Sequence, residues 1–472
     1  MQGNKKPWEA HGALRVSENG HYLEYEDGTG FFWLGDTAWK LVSLKPVDVD
    51  HYLQNRLSKG FNVIQFNATA WGKSSYSGQP PFKGSGNPWS SAEFNEPYWE
   101  HVDYIVDQAK QRGLYVAIFA WWGRDADKTF ADPYNHNYEY GRALGSRYRN
   151  KPNVIWVGSG EYHTPNMWNP PLSEQHLSNL IRLVEGIRDG DTGNHLITMH
   201  PLSFLSSSEE FHHEEWLDFN MVQTHVMQDY IDHLVYGDWC KKPPKPTINS
   251  EPWYEGEEEL HERRAGVLKV AQPRQRRFDS AWIQRYQAYW SVFFGGFGYT
   301  YGHMNLWMMS DIYELYTYSK WGTQGVLMQS ALDAPGSAHL IHLRTLMESK
   351  PIQERIPDPS LISLNTRGSD ATLSPNLRCA TRDANGLWAF VYSTRGESMR
   401  VIMSRLADGK ADAFWYNPRS GQWNYERNDH EIKQPFKTGI PAGTDAPDSY
   451  FSPPGERADG NDWVLVLEVE EE

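Results

Sequence analysis

Glu161 and Glu251 each follow a short apolar run, and those runs are the fourth and seventh of eight in a repeating strand and helix pattern. When eight parallel strands close into a barrel, their ends converge on one face, where the catalytic groups of such enzymes gather. Two carboxyl groups delivered there from opposite sides form the minimal apparatus for cleaving a glycosidic bond. One must carry a proton for the leaving oxygen, and the other must be ionised to attack the anomeric carbon or to activate water. Glu161, near Trp156, Tyr162 and His163, is read as the acid/base; Glu251, beside Ser250 and opposite His225 and Tyr301 as donors, is read as the nucleophile. Carboxyl groups about 5–5.5 Å apart would imply retention of configuration, and about 6.5–9.5 Å inversion.

Other polar residues near the ends of the runs make a candidate lining for a sugar: Asp36, Asn67, His163, His200, His225, Tyr301 and His303. Trp39, Trp71, Trp121, Trp122, Trp253 and Trp307 are candidate stacking platforms, because an indole offers an apolar face together with a polar handle. Asp36 reads equally well as a cap for the helix that follows it. No metal ligand and no cofactor is assigned: no H-x-H pair follows the first run, and no glycine-rich phosphate loop stands between a strand and a helix. Two other readings stay open, a barrel that binds glycans without cleaving them and a metal-dependent hydrolase.

The elements that must position these residues are legible as periodicity. Apolar runs at 31–34, 61–66, 114–120, 154–157, 196–199, 219–223, 247–249 and 298–301 are predicted strands, separated mainly by predicted helices such as 47–59, 98–112 and 282–294. Ser173 supplies a helix cap, and Gly60 and Gly113 supply stops. This is the pattern of an α/β fold, a (β/α)8 TIM barrel. Residues 14–30 carry Asn-Gly and Asp-Gly turns and predict a hairpin under the barrel floor. A long loop is expected over 71–89, and the charge run 255–264 reads as an exposed helical face. Past 356 the rhythm changes to short alternating strands broken by Gly, Pro, Asn and Asp, which predicts a small all-β sandwich. The expected domains are therefore 1–30 at the barrel floor, 31–355 as the barrel and 356–472 as the β domain.

Composition narrows the partners. The 472 residues carry a formal net charge of −15, which disfavours sequence-independent binding to nucleic acid, and the aromatic fraction of 14 % includes 21 Trp and 26 Tyr. Cys240 and Cys379 stand far apart, without the spacing of a zinc site or a disulfide framework. No run of 18 apolar residues suggests a membrane span, and the first residues lack the apolar stretch of a signal peptide. The expected partner is an oligosaccharide or polysaccharide, and the oligomeric state is left open.

Four segments resemble the apiosidase-like glycoside hydrolases: LRVSENG at 14–20, FWLGDTAW at 32–39, KGFNVIQ at 59–65 and NVIWV at 153–157. The tail segment WYNPRSG at 415–421 is similar to a motif of a module labelled collagen-binding in such proteins, so the resemblance spans nearly the whole chain. It implies a secreted or periplasmic bacterial enzyme that removes side-chain sugars from plant or algal cell-wall polysaccharides, with the export signal lying outside this sequence. It also implies an acid/base after strand four and a nucleophile after strand seven, matching Glu161 and Glu251. Members of the group often carry Asp after a Gly-Gly pair where this chain has Gly160-Glu161, and one more methylene carries the carboxyl about 1.5 Å further.

Overall fold

Eight parallel strands form the centre of the computed structural model: β1 (Trp33–Thr37), β2 (Val63–Asn67), β3 (Tyr115–Phe119), β4 (Val154–Gly160), β5 (Ile197–His200), β6 (Asn220–Gln223), β7 (Thr247–Asn249) and β8 (Gly298–Tyr301). The residues described are 5–69, 75–83, 93–123, 136–163, 173–193, 195–225, 231–256, 280–307, 309, 328–363, 378–423 and 433–470. Hydrogen-bonded neighbours run β5-β4-β3-β2-β1-β8-β7-β6. Between β5 and β6 the barrel closes through the Asp218 N–H on the Ile197 carbonyl, at 3.0 Å, and the Thr198 hydroxyl on the Phe219 carbonyl. A ninth strand, Leu205–Ser206, pairs antiparallel with β6. Two residues are too short to show a period, which is why the sequence did not reveal it.

Helices α1 (Pro46–Ser58), α2 (Glu96–Arg112), α3 (His136–Tyr148), α4 (Glu174–Asp191), α5 (Ser280–Phe293) and α6 (Pro335–Glu348) surround the strands. Their ends obey local chemistry: Ser173 accepts the His176 N–H at the start of α4, and Gly113 closes α2 at φ 77°. Among the described residues α3 and α4 touch backbone to backbone, since a Cβ on Gly141, Gly145, Gly186 or Gly190 would meet main-chain atoms of the other helix at 2.1–2.3 Å.

Side-chain alternation along the strands sorts residues between the barrel interior and the helices. Trp33, Thr37 and Gln65 point inward: the Trp33 indole N–H donates to Thr300 Oγ1, and Gln65 Nε2 donates to Thr37 Oγ1 and to the Ser250 carbonyl. The segment ahead of β1 is a three-stranded antiparallel sheet, Leu14–Val16, Leu23–Tyr25 and Gly30–Phe31, rather than a lone hairpin. Trp8 and Phe31 pack edge-on against Tyr115, the first residue of β3, so this segment lies at the N-terminal ends of the strands.

The tail builds a six-stranded antiparallel sheet (Arg355–Pro357, Arg378–Asp383, Trp388–Ser393, Gly409–Tyr416, Lys437–Ala442 and Trp463–Glu470) and a two-stranded one, Met399–Val401 with Ser449–Phe451. Ala389, Val391, Leu465 and Leu467 pack with Met399, Val401 and Phe451 of the small sheet. The alternate residues Phe390, Tyr392, Val464 and Val466 join the apolar cluster of α5, where Tyr289 stacks on Tyr392 at 4.6 Å. Among the described residues the sandwich thus has one layer of two strands, and a barrel helix covers the opposite face of its large sheet.

Candidate active site

Glu251 is fixed at both carboxylate oxygens. His200, the last residue of β5, donates from Nε2 to Glu251 Oε2 at 2.9 Å, and the Tyr254 hydroxyl donates to Oε1 at 2.7 Å. The protons can be assigned from the donors around them. The Trp39 indole N–H can only donate, and it reaches the Tyr254 oxygen at 2.9 Å, so the tyrosine proton goes to Glu251. The Ser250 hydroxyl lies 3.0 Å from the Val222 carbonyl and 2.9 Å from His200 Nδ1, and because an ionised Glu251 can only accept, a ring proton of His200 stands on Nε2. Gly302 makes room for this arm, because a Cβ there would stand 2.2 Å from the Tyr254 ring.

Glu161 is presented differently. The pairing of β4 with β5 shifts register between Val157 and Gly160, and Glu161 itself takes φ 44°, a left-handed conformation costing about 1–3 kcal/mol for a residue with a side chain. That irregularity turns the carboxyl away from the strand's alternation. Oε2 receives the Trp122 indole N–H at 3.2 Å, and Oε1 receives Gln223 Nε2 at 3.5 Å. A Cβ on Gly160 would lie 2.4 Å from the Trp122 ring, and one on Gly123 would lie 2.1 Å from the Glu161 carbonyl, so both glycines are required by close approach.

An aromatic floor joins the two carboxyl groups. Trp122, which holds Glu161, packs edge-on against Trp39 at 4.7 Å; Trp39 in turn bonds Tyr254, the partner of Glu251. The His200 ring lies 5.3 Å from Phe119 and 6.0 Å from Trp122. Both glutamates are nearly buried, 5 % and 6 % exposed, against this floor.

The other candidates divide between cleft and framework. His163 donates to Glu210 Oε1 at 3.0 Å while its Nδ1 accepts the Leu202 N–H, and Tyr162 donates to the second Glu210 oxygen, which together brace the segment after Glu161. Asn67 closes β2 with Oδ1 taken by the Thr69 N–H and hydroxyl. His225 donates its backbone N–H to the Glu251 carbonyl at 3.1 Å, and its ring packs edge-on against Phe204 at 6.2 Å. The buried His303 ring accepts the Asn305 N–H on Nδ1, and burial, helped by the Arg56 charge, holds its pKa down at about 3. Trp253 lies in the core with its backbone bonded to α5, and Trp307 packs against Tyr254 and Met304.

Three residues stand on the wrong face for the lining. Tyr301 points toward the helices, where its hydroxyl donates to Glu255 Oε2, and the Tyr254 hydroxyl takes its expected place as a donor to Glu251. Asp36 is fully buried beneath α1 against Tyr52 and Arg56; burial raises its pKa, opposed by the Arg56 charge and the Tyr52 hydrogen bond. Trp121 packs in the layer between strands and helices, while its neighbour Trp122 faces the cleft. Alternation along the strand separates each of these from the inward set. Trp71, the loop over 71–89 beyond residues 75–83, and residues 257–264 of the charge run lie outside the described residues. Tyr254, Gln223 and Glu210 were missed from sequence; the one available signal was the E-P-W-Y spacing, which puts a hydroxyl three residues after Glu251. Among the described residues, no group of three His, Cys, Asp or Glu is placed to hold a metal ion, and no helix is long and apolar enough to cross a membrane.

The family model for the apiosidase-like catalytic domain matches residues 17–354. The chain belongs to the apiosidase-like family. Residues 356–468 match a second model, described as "Putative collagen-binding domain of a collagenase", a description that brings no ligand to this chain. A crystal structure of a glycoside hydrolase family 5 protein from Bacteroides vulgatus ATCC 8482 is 27% identical, with a TM-score of 0.80 over 98% of this chain and 95% of its own. Another solved structure, named a glycoside hydrolase, is also 27% identical, with a TM-score of 0.79 over 99% and 98%. No curated protein matches the sequence. Family and fold agree with the sequence resemblance, and they make this apiosidase-like chain a glycoside hydrolase.

Proposed function

We propose that this glycoside hydrolase removes side-chain sugars from plant or algal cell-wall polysaccharides, acting at chain ends by a retaining double displacement. In the first step a Glu251 oxygen bonds to the anomeric carbon as the glycosidic C–O bond breaks, and the Glu161 proton passes to the leaving oxygen. In the second step Glu161 takes a proton from water, the water oxygen bonds to the anomeric carbon, and Glu251 departs as a carboxylate. The observation that carries this reading is the unequal treatment of the two carboxyl groups. Glu251 has a hydroxyl and an imidazole N–H aimed at its two oxygens, an arrangement suited to a charged nucleophile. Glu161 receives an indole N–H at 3.2 Å and an amide N–H at 3.5 Å, longer contacts than those on Glu251, which suits a carboxyl that gives up and takes back a proton. Membership of the apiosidase-like family supports the reading of exo action on a cell-wall substrate. On this reading the substrate is a polymer that cannot enter the cytoplasm, which supports action in the periplasm or outside the cell.

The test is Glu161→Ala assayed with an activated aryl glycoside and azide. An azido sugar of retained configuration is the expected product, because azide attacks the glycosyl–enzyme without needing a base. No rescue, or an inverted product, would overturn the assignment. Monosaccharide release from a panel of plant and algal polysaccharides identifies the sugar.

A further inference from the structure

The segment from Glu251 to Glu255 has no regular secondary structure, and a helix with no part in the chemistry holds its middle. α5 turns Gln284 and Gln287, three residues apart on one face, toward Trp253. The Trp253 N–H donates to Gln287 Oε1 at 3.0 Å, and its carbonyl accepts Gln284 Nε2 at 2.7 Å and Gln287 Nε2 at 3.4 Å. Both glutamines are fully buried. Trp253 lies between Glu251 and Tyr254, so the height of its backbone sets where the Tyr254 hydroxyl meets the nucleophile.

The C-terminal β domain grips the same helix from its other side. Arg285, between the two glutamines, forms a two-pronged pair with Asp462 at 2.9 and 2.8 Å, and the Tyr392 hydroxyl donates to Asp462 at 3.0 Å. The indoles of Trp282 and Trp290 donate to the Thr394 carbonyl and hydroxyl at 2.8 and 3.1 Å. Arg285 is 1 % exposed and Asp462 is 0 % exposed, and a buried fork of this kind tolerates little displacement.

We propose that the β domain is a working part of the catalytic centre: Asp462 fixes Arg285 and with it α5, and Gln284 and Gln287 hold Trp253 so that Tyr254 reaches Glu251. Asp462, Gln284 and Gln287 are positioning residues, and the proposal rests on Glu251 being the nucleophile. A domain that only stabilised the barrel would change unfolding without changing this arm. Misplacing a reacting group by an ångström costs about a hundredfold in rate, so a smaller displacement here is expected to cost about tenfold.

The experiment is Asp462→Asn in the full chain, assayed on an aryl glycoside that the wild type hydrolyses, together with amide hydrogen exchange. The expected result is a folded protein with kcat lowered about tenfold and KM lowered with it, so that kcat/KM changes little, and faster exchange in the peptide spanning 252–256 while the barrel strands keep their protection. Gln287→Glu, which keeps the acceptor for the Trp253 N–H, should retain more kcat than Gln287→Met, which removes it. A folded Asp462→Asn protein with wild-type kcat and unchanged exchange at 252–256 overturns the proposal. Should that variant fail to fold, Tyr392→Phe and Gln287→Met are judged by the same criteria. Failure of the underlying reading looks different: Glu251→Gln would then keep its turnover, whatever the tail variants do.

Discussion

Tyr254→Phe isolates the hydroxyl that lies 2.7 Å from Glu251 Oε1 and accepts the Trp39 indole N–H at 2.9 Å. In a double displacement this hydroxyl matters most when Glu251 leaves the sugar, because the carboxylate charge reappears then and the donor stabilises it. A hydrogen bond to a charged group is worth about 1.5–3 kcal/mol. If about half of that is felt in the transition state, glycosyl–enzyme breakdown slows roughly 4- to 13-fold, at 1.36 kcal/mol per tenfold. Formation of the intermediate consumes the charge and slows less. The variant should therefore accumulate glycosyl–enzyme, lowering kcat and KM together while kcat/KM changes little. Rapid-quench kinetics with an activated aryl glycoside should show a burst of released phenol equal to the enzyme concentration. The buried Trp39 N–H also loses its acceptor, at a cost of about 1–3 kcal/mol of folding stability in denaturant titration. A variant with kcat within twofold of wild type, or a loss in kcat/KM without a burst, would refute both the role of Tyr254 and the order of charge development.

Acid stability should report His303. Its pKa of about 3 in the fold lies below the ordinary 6.5, so between those values the unfolded chain binds a proton that the native state does not. This residue's share of stability is therefore complete above pH 6.5 and is lost, at up to about 1.4 kcal/mol per pH unit, as pH falls toward 3. His303→Gln should flatten the slope of unfolding free energy against pH over that window, and an unchanged slope would count against the buried neutral ring. Asp36→Ala should strip the buried Arg56 of its carboxylate partner and cost about 3–5 kcal/mol of stability with no change in KM for the folded fraction. A tenfold rise in KM would return Asp36 to the sugar site.

The eight strands, most of the flanking helices and the two glutamates were visible in the sequence because each depends on local pattern. Buried parallel strands read as apolar runs, helices repeat every three to four residues between caps, and the ends of the fourth and seventh runs must open on one face of a closed barrel. The same local reading placed Asp36, Trp121 and Tyr301 in the lining, since a strand end is easy to see while the inward phase of each side chain depends on register with its neighbours. Tyr301 meets Glu255 and Tyr254 meets Glu251, a distinction made by the way 251–255 folds over β8. Trp39 and Tyr254, 215 residues apart, form one hydrogen bond because β1 and β7 flank β8 in the closed sheet and the segment after β7 folds across the end of β8.

Periodicity thus determined the architecture and pointed to the two acids proposed to do the chemistry. Tertiary structure decided how those acids are held, through the partners of Glu251, the left-handed turn at Glu161 and the grip of the β domain on α5. The physical reason is range. Secondary structure follows contacts within a few residues, whereas hydrogen bonds to a buried carboxyl group join segments whose meeting is fixed by packing of the whole barrel.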